Sequence, residues 1–334
     1  MTTTEQPPLA QRLGAGISYT AFTLLATTSN LLVIYALHKH RKIFGKYPFY
    51  TLAKNIIVAS IGELITQIVV AVPLSFAGLP LYGNDATLIV LSSLDTFFFL
   101  TLFFTSLFIA LNRCFVVFCP KLYALFFTDF RLYVTCAVPW ILSGIWVFVT
   151  TFIGCPKVFR HDGFYYMYRC TENLTDSADL VMHISKHMSY TVPAMMLIVY
   201  ALVLWRVRTM VSYQSNDGHI LIQSLLICIA FEIETILFAV LPNLEFSLGM
   251  FWLSLILNYT LIFTASISSI ILAALNPVIR ATVLGFFPCL PQPKAESSKS
   301  NTNYRVYDIS DEYGNEMTLR KQRKQKANVQ IYPV

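Results

Sequence analysis

Charge is scarce in this sequence. Only 13% of its 334 residues are charged, while 56% are hydrophobic and 14% aromatic. A soluble domain carries about 25% charged residues. The chain therefore lacks the polar residues to coat a water-facing globule of its size, and a mean hydropathy of +0.60 agrees. A soluble enzyme, a coiled coil and a disordered regulator are excluded on these grounds. Seven cysteines are too few and too scattered for a disulfide scaffold. Catalytic signatures are missing too: there is no HExxH, no GxSxG, no phosphate-binding loop and no His/Cys cluster at metal spacing. His38, His40, His161, His183, His187 and His219 fall at the edges of apolar runs or in loops. No enzyme activity, cofactor, metal or nucleic-acid partner is expected. Met1 to Arg12 is polar and lacks a basic segment followed by a short apolar core, so no signal peptide is expected and the first helix acts as its own insertion signal.

What the chain has is long apolar runs. A bilayer core needs about 20 mostly apolar residues per helix. Seven stretches qualify: Gly14 to Leu37, Tyr50 to Phe76, Leu88 to Phe118, Leu132 to Ile153, Met188 to Val207, Ile220 to Leu241 and Phe246 to Leu275. They are too long for strands and lack barrel alternation, and only helices or closed barrels satisfy their backbone in lipid. The expected fold is an all-α membrane protein, a seven-helix transmembrane bundle. Lys39, Arg41, Lys42 and Lys46 follow span 1, Lys121 and Arg131 lie between spans 3 and 4, and Arg206 and Arg208 follow span 5. Such basic loops stay cytoplasmic, so the N-terminus is expected outside and the C-terminus inside.

Three regions follow: an extracellular arm (1–13), the transmembrane domain (14–288) and a cytoplasmic tail (289–334) expected to be disordered, with Ser297, Ser298, Ser300 and the basic run Arg320–Lys326. That run either meets anionic inner-leaflet lipid or merely anchors topology. The longest outer segment is expected to be Gly154 to Lys186, with Cys155 and Cys170 on the oxidising side, either bonded or as free thiols. Asn173-Leu174-Thr175 in that segment is a glycosylation acceptor, whereas Asn258-Tyr259-Thr260 lies within span 7 and should stay unmodified. A short amphipathic helix, Val278 to Phe287, is expected after span 7, followed by Cys289, which is either palmitoylated or unmodified.

Charged side chains inside spans are costly and need a reason. Glu63 sits in the middle of span 2, where it is either a protonated, hydrogen-bonded carboxyl or a proton or cation site. Asp95 and Arg113 lie eighteen residues apart on one face of span 3, five turns or about 27 Å. Asp95 is either a satisfied polar contact or a ligand-contacting acid. Glu232 and Glu234 point about 200° apart, so one faces the bundle interior and the other a helix interface.

Several motifs together resemble the rhodopsin-like G-protein-coupled receptors. They are Ser29-Asn30-Leu31-Leu32-Val33 in span 1, Ser60-Ile61-Gly62-Glu63-Leu64 with Pro73 in span 2, and Leu111-Asn112-Arg113-Cys114 in span 3. Trp140 with Ser143, Pro193 with Tyr200, and Asn276-Pro277-Val278-Ile279-Arg280 complete the set. The run Ala110 to Pro120 is most similar to nematode chemosensory serpentine receptors, class X in particular. There are departures. Leu88 stands where the usual helix 3 cysteine would be, so Cys155–Cys170 takes the place of the usual disulfide. Asn112 replaces the usual acid, span 6 lacks the CWxP toggle with Pro242 at its outer end instead, and Arg280 replaces a tyrosine.

The resemblance implies a plasma-membrane chemoreceptor, in a sensory neuron on the ciliary membrane. A small ligand would bind between the outer halves of the helices, with Asp95, Phe98, Phe99, Trp252 and Tyr259 as the expected contacts and an amine as one expected ligand. A heterotrimeric G protein would dock inside against Asn112, Arg113 and Arg280. The alternative is a seven-helix transporter or ion/proton channel using Glu63, Asp95 and Glu232 or Glu234, which the absence of an internal repeat disfavours.

Overall fold

The computed structural model describes residues 7–45, 47–83, 85–170, 176–209, 215–240 and 250–287. Helices dominate: α1 (Leu9–Lys39), α2 (Arg41–Phe44), α3 (Pro48–Thr66), α4 (Val72–Ala77), α5 (Asp85–Phe118), α6 (Pro120–Phe126), α7 (Asp129–Phe152), α8 (Asp176–Thr209), α9 (Ser215–Val240), α10 (Met250–Leu275) and α11 (Pro277–Leu284). A two-stranded antiparallel hairpin, β1 (Lys157–Arg160) and β2 (Tyr165–Tyr168), sits between α7 and α8.

Six of the described helical segments are long and apolar enough to cross a membrane: Leu9–Lys39, Pro48–Ala77, Asp85–Phe118, Phe130–Phe152, Ala178–Thr209 and Phe251–Leu275. Helix α9 covers the sixth apolar stretch of the sequence. Large apolar side chains on the outer surfaces, such as Leu25, Phe130, Phe148, Phe152, Ile198 and Trp205, are exposed. In water such a belt would be an aggregation surface; against lipid tails it costs nothing. The chain has the make-up of a multi-pass membrane protein.

Two boundaries differ from the sequence expectation. Helix α1 starts at Leu9, inside the expected arm, because Pro8 precedes it and needs no N–H at a helix start. Arg12, the polar residue that disguises this first turn, donates to the Ala77 carbonyl at 2.8 Å. Helix α8 starts at Asp176, well inside the expected Gly154–Lys186 loop. Its first turns carry Asp179, His183, Lys186 and His187, so hydropathy reads them as loop although their backbone is helical. The glycosylation acceptor Asn173, Pro242, Cys289 and the tail with its basic run lie outside the described residues.

Pro73 explains the shape of span 2. Lacking an N–H, it leaves the carbonyl of Val69 without its helical donor. The Tyr82 hydroxyl donates to that carbonyl instead. Immediately before it the helix widens into a π turn, Gln67–Ala71, a device often found at functional sites. Gly78, at φ 61°, closes α4 in the left-handed conformation that lacks a penalty only for glycine. At Gly62 a Cβ would collide with the ring of Phe98, so this glycine sets the close approach of α3 and α5.

The core falls into separate clusters, the two largest spread over α1, α3, α5 and α10. At the hairpin end, Tyr19, Leu64, Leu74, Phe159, Phe164 and Leu261 pack together. At the opposite end, Leu37, Phe49, Ile56, Phe127 and Leu272 do so. Asn30 ties α1 to α10, donating to the carbonyls of Ala26 at 2.9 Å and Ala265 at 3.1 Å.

Candidate functional site, a lidded cavity in the bundle

The hairpin is a lid. Cys155 and Cys170 are bonded and close a loop of sequence separation 15 around it. The strands pair Lys157 with Tyr168 and Arg160 with Tyr165. The turn between them places Phe164 at φ 59°, a conformation that costs a bulky residue of order 1–3 kcal/mol. The surroundings hold it there. The Phe164 ring is buried against Phe251, with centroids 5.8 Å apart, and its carbonyl accepts from the Tyr19 hydroxyl at 2.9 Å. The lid is also pinned to α5, where the Phe159 N–H donates to Ser92 Oγ at 3.2 Å.

Lys157 projects from this lid into the bundle and meets Asp95 at 2.7 Å. The Asp95 side chain is fully buried; that of Lys157 is 15% exposed. Gln67 in the π turn donates to the other Asp95 oxygen at 3.3 Å, and Asn258 on α10 donates to Gln67 Oε1 at 3.3 Å. A polar chain thus links lid, α5, span 2 and α10. Burial alone would push the Lys157 ammonium toward deprotonation, but the charges of Asp95 and Tyr168 and the hydrogen bond to Asp95 outweigh it, and its pKa is raised. The Tyr166 hydroxyl, on the lid beside it, is pushed well up by burial and then by Asp95.

Beneath the lid lies a cavity of about 370 Å³. Helix α5 supplies Thr96, Phe99 and Phe103, one helical stripe, with Phe99 and Phe103 stacked at 6.3 Å. Helix α10 supplies Leu257, Asn258 and Leu261, and α8 supplies Met182, Met188 and Tyr190. The lid adds Lys157, Tyr165, Tyr166 and Tyr168, and α9 adds Glu234. Glu234 is buried, while Glu232, two residues away, is half-exposed. An apolar chamber with a few convergent polar groups is what a small-molecule site requires.

The residues singled out from the sequence are distributed unevenly around this chamber. Phe99 lines it, and Asp95 borders it through Lys157. Phe98 packs instead against Trp140, with ring centroids 6.2 Å apart. Trp252 is 61% exposed on the outer surface. Tyr259 faces α1, where its hydroxyl donates to Ser18 Oγ at 2.6 Å and its ring meets Tyr19 edge-on. These aromatics do not form one cage around Asp95. Glu63 is buried on α3, within electrostatic reach of Asp95, Glu234 and Lys157.

At the opposite end, the Arg113 guanidinium lies over the ring of Phe49, 4.8 Å from its centroid. Asn112 is buried beside it, and Arg280 is exposed, with a 3.4 Å contact to the Ala274 carbonyl. Asn276 caps α11, accepting from the N–H groups of Val278 and Ile279, and donates to the Tyr50 hydroxyl at 2.8 Å. Pro277 starts α11. Trp140 donates to Asn55 Oδ1 at 2.8 Å. Pro193 lies inside α8, and Tyr200, seven residues on, is buried against Ala110 of α5 and Cys228 of α9.

The sequence does not single out Lys157 or Gln67 as site residues, and it marks Asn258 only as part of an unmodified Asn-Tyr-Thr triplet. The signals for Gln67 and Asn258 were present as lone amides within apolar runs. Lys157 carried none, because a lysine two residues after a loop cysteine reads as solvated. No curated protein matches the chain. A family model described as "Protein of unknown function (DUF621)" matches residues 16–280, a stretch that takes in the bundle, the lid and the cavity. The chain therefore belongs to that family.

Proposed function

We propose that the chain is a seven-helix receptor of the G-protein-coupled type, of the chemosensory serpentine kind, in the plasma membrane. The hairpin end faces outside, the C-terminus lies in the cytoplasm, and α9 is the seventh membrane span beside the six described above. A small molecule binds in the lidded cavity and favours a bundle conformation that opens the opposite end to a heterotrimeric G protein. The observation that carries this reading is the cavity itself. It is apolar, polar at a few points, and covered by a disulfide-closed lid that is tied to α5. A ligand acts by binding one of two conformations better than the other. Support at the other end is Arg113 near the inner end of α5, held over Phe49 rather than in a cluster of surface charges.

The deciding measurement is guanine-nucleotide exchange on heterotrimeric G proteins in membranes containing this chain, screened with volatile and small-metabolite panels. Arg113→Ala is expected to retain surface expression and ligand binding but to lose most exchange. Full exchange in that variant would reject the assignment of Arg113.

One observation favours a second reading. Glu63, Asp95 and Glu234 are buried within reach of one another's charge, as a proton or cation path would need. That reading expects a proton or cation current in liposomes carrying the chain, abolished by Glu63→Gln. The lid over the cavity suits a binding site better than a conduit.

A further inference from the structure

We propose that Glu234 receives the ammonium group of a small, predominantly apolar amine held in the cavity beneath the hairpin. The inference rests on reading that cavity as a ligand site, and it names the class of ligand.

The charges around the cavity are not equivalent. Lys157 is already answered by Asp95 at 2.7 Å, so the acid that stands out in the sequence is engaged by the lid and is not free for a ligand. Glu234 is different. Among the described residues three ion pairs form, Lys157–Asp95, Arg160–Asp162 and Arg169–Asp85, and Glu234 belongs to none. Its carboxyl is buried to 1% exposure, and neither oxygen makes a well-formed hydrogen bond, Thr264 being the hydroxyl beside it. A buried carboxyl is either neutral or paired. Lys186 of α8 also lines the cavity, but its side chain is exposed and it forms no ion pair with Glu234, so an ammonium in the cavity is the pairing group the described residues do not supply.

The walls define the rest of the ligand. Phe99, Phe103, Leu257 and Leu261 offer hydrocarbon and aromatic faces, and Met188 adapts to irregular shapes. A volume of about 370 Å³ is near the lower end for ligand pockets, which suits a small arylalkyl or alkyl amine. A second, largely apolar groove between α9 and α10, lined by Ile233, Ile256 and Phe263, also borders Glu234. A carboxylate ligand would find Lys157 engaged, Glu234 opposed and Lys186 exposed to solvent. A neutral ligand would leave Glu234 unanswered.

The test uses the full chain in lipid nanodiscs, with phenethylamine and the neutral phenethyl alcohol followed by ligand-observed NMR. The wild-type chain is expected to bind the amine more tightly than the alcohol. Glu234→Gln is expected to weaken the amine by about thirtyfold or more and to leave the alcohol unchanged, which also shows that the variant is folded. Equal amine affinity in Glu234→Gln, or no preference for amine over alcohol in the wild type, overturns the proposal. Should the variant not fold, carbodiimide labelling of the wild-type chain decides: the amine shields Glu234 and the alcohol does not, and an unshielded Glu234 overturns the proposal. Nucleotide exchange is read separately. Binding through Glu234 without exchange on any G protein keeps this inference and removes the receptor reading. Exchange driven by ligands indifferent to Glu234→Gln removes this inference alone.

Discussion

Cutting the lid's ion pair has an asymmetric consequence that can be worked out from the structure. Two unit charges 2.7 Å apart attract by about 6 kcal/mol in a medium of effective dielectric about 20. Desolvating both charges returns most of that, so the intact pair contributes little net stability. Removing one partner is another matter, because the survivor stays buried alone, at a cost of about 3–5 kcal/mol. The two survivors differ. Asp95 is fully buried with only Gln67 left to donate to it, so Lys157→Met strands it. Lys157 sits on the lid with its side chain 15% exposed, so after Asp95→Asn its ammonium can swing toward water. Lys157→Met is therefore expected at the top of that range and Asp95→Asn well below it. The double variant Lys157→Met/Asp95→Asn should recover most of the loss. Thermal melting of the purified chain, followed with a thiol-reactive dye, reads all three. Lys157→Met melting with the wild type, or Asp95→Asn proving the more damaging, would refute the reasoning. The sign with pH is also fixed. The Lys157 pKa is raised by folding, so the pair's contribution is full below the ordinary lysine value and is lost as pH rises through the folded one.

Three further outcomes follow from other contacts. Replacing both Cys155 and Cys170 with serine opens the loop of separation 15, which in the chain-entropy model costs roughly 3 kcal/mol; non-reducing mass mapping should find the pair linked, and melting should fall when it is reduced. Asp162 is held below the usual carboxylate range by the hydrogen bond from Arg160 and then by its charge. Its stabilisation of the hairpin is present above the unfolded value and lost as pH falls through the folded one, so amide exchange in β1 and β2 should rise on acidification, and Asp162→Asn should flatten that dependence. Asn276→Ala removes the cap of α11 and the bond to Tyr50, and should cost about 1–2 kcal/mol, whereas Asn276→Asp, which can still accept from Val278 and Ile279, should melt close to the wild type.

The helices were legible because lipid imposes one rule on every span: an unbroken apolar run with its backbone bonded internally. Those runs survive any uncertainty about packing. Boundaries were less legible where a helix leaves the apolar zone, as at Asp176–His187, because hydropathy reports the solvent and not the hydrogen bonding. The hairpin was hidden for a different reason. Its strands, Lys157–Arg160 and Tyr165–Tyr168, are only four residues each and show no alternation against water, since the lid packs on the bundle. The site was half legible. Asp95 and Glu234 stand out because a carboxyl within a span demands a reason, but which of them is satisfied depends on where Lys157 lands after the chain reverses at α7. No periodicity carries that information. Of the expected aromatic contacts Phe98, Phe99, Trp252 and Tyr259, only Phe99 lines the cavity, because helix rotation, set by contacts such as Gly62 against Phe98, decides which aromatic faces inward.

The lid's attachments suggest how occupancy of the cavity would be felt at a distance under the receptor reading. The disulfide fixes the lid's base just after α7, the Tyr19–Phe164 bond ties it to α1, and both Phe159–Ser92 and Lys157–Asp95 tie it to α5. Of these, only the ion pair lies beside the cavity and on the helix that also carries Arg113. Helix α5 runs unbroken from Asp85 to Phe118, so a small rotation at Asp95 is transmitted along one rigid rod. A ligand that fills the space between Phe99 and Lys157 competes with the lid for position and has no direct hold on Arg113. Coupling from the cavity into α5 then runs through the ion pair, because Lys157 lines the cavity whereas the Phe159–Ser92 bond ties the lid to α5 away from it and the remaining ties pull on other elements. Lys157→Arg keeps the charge but lengthens and forks the donor, so ligand affinity should survive while exchange on the G protein falls. Equal loss of both would place the lid in binding alone, and would leave the path from cavity to Arg113 to another helix.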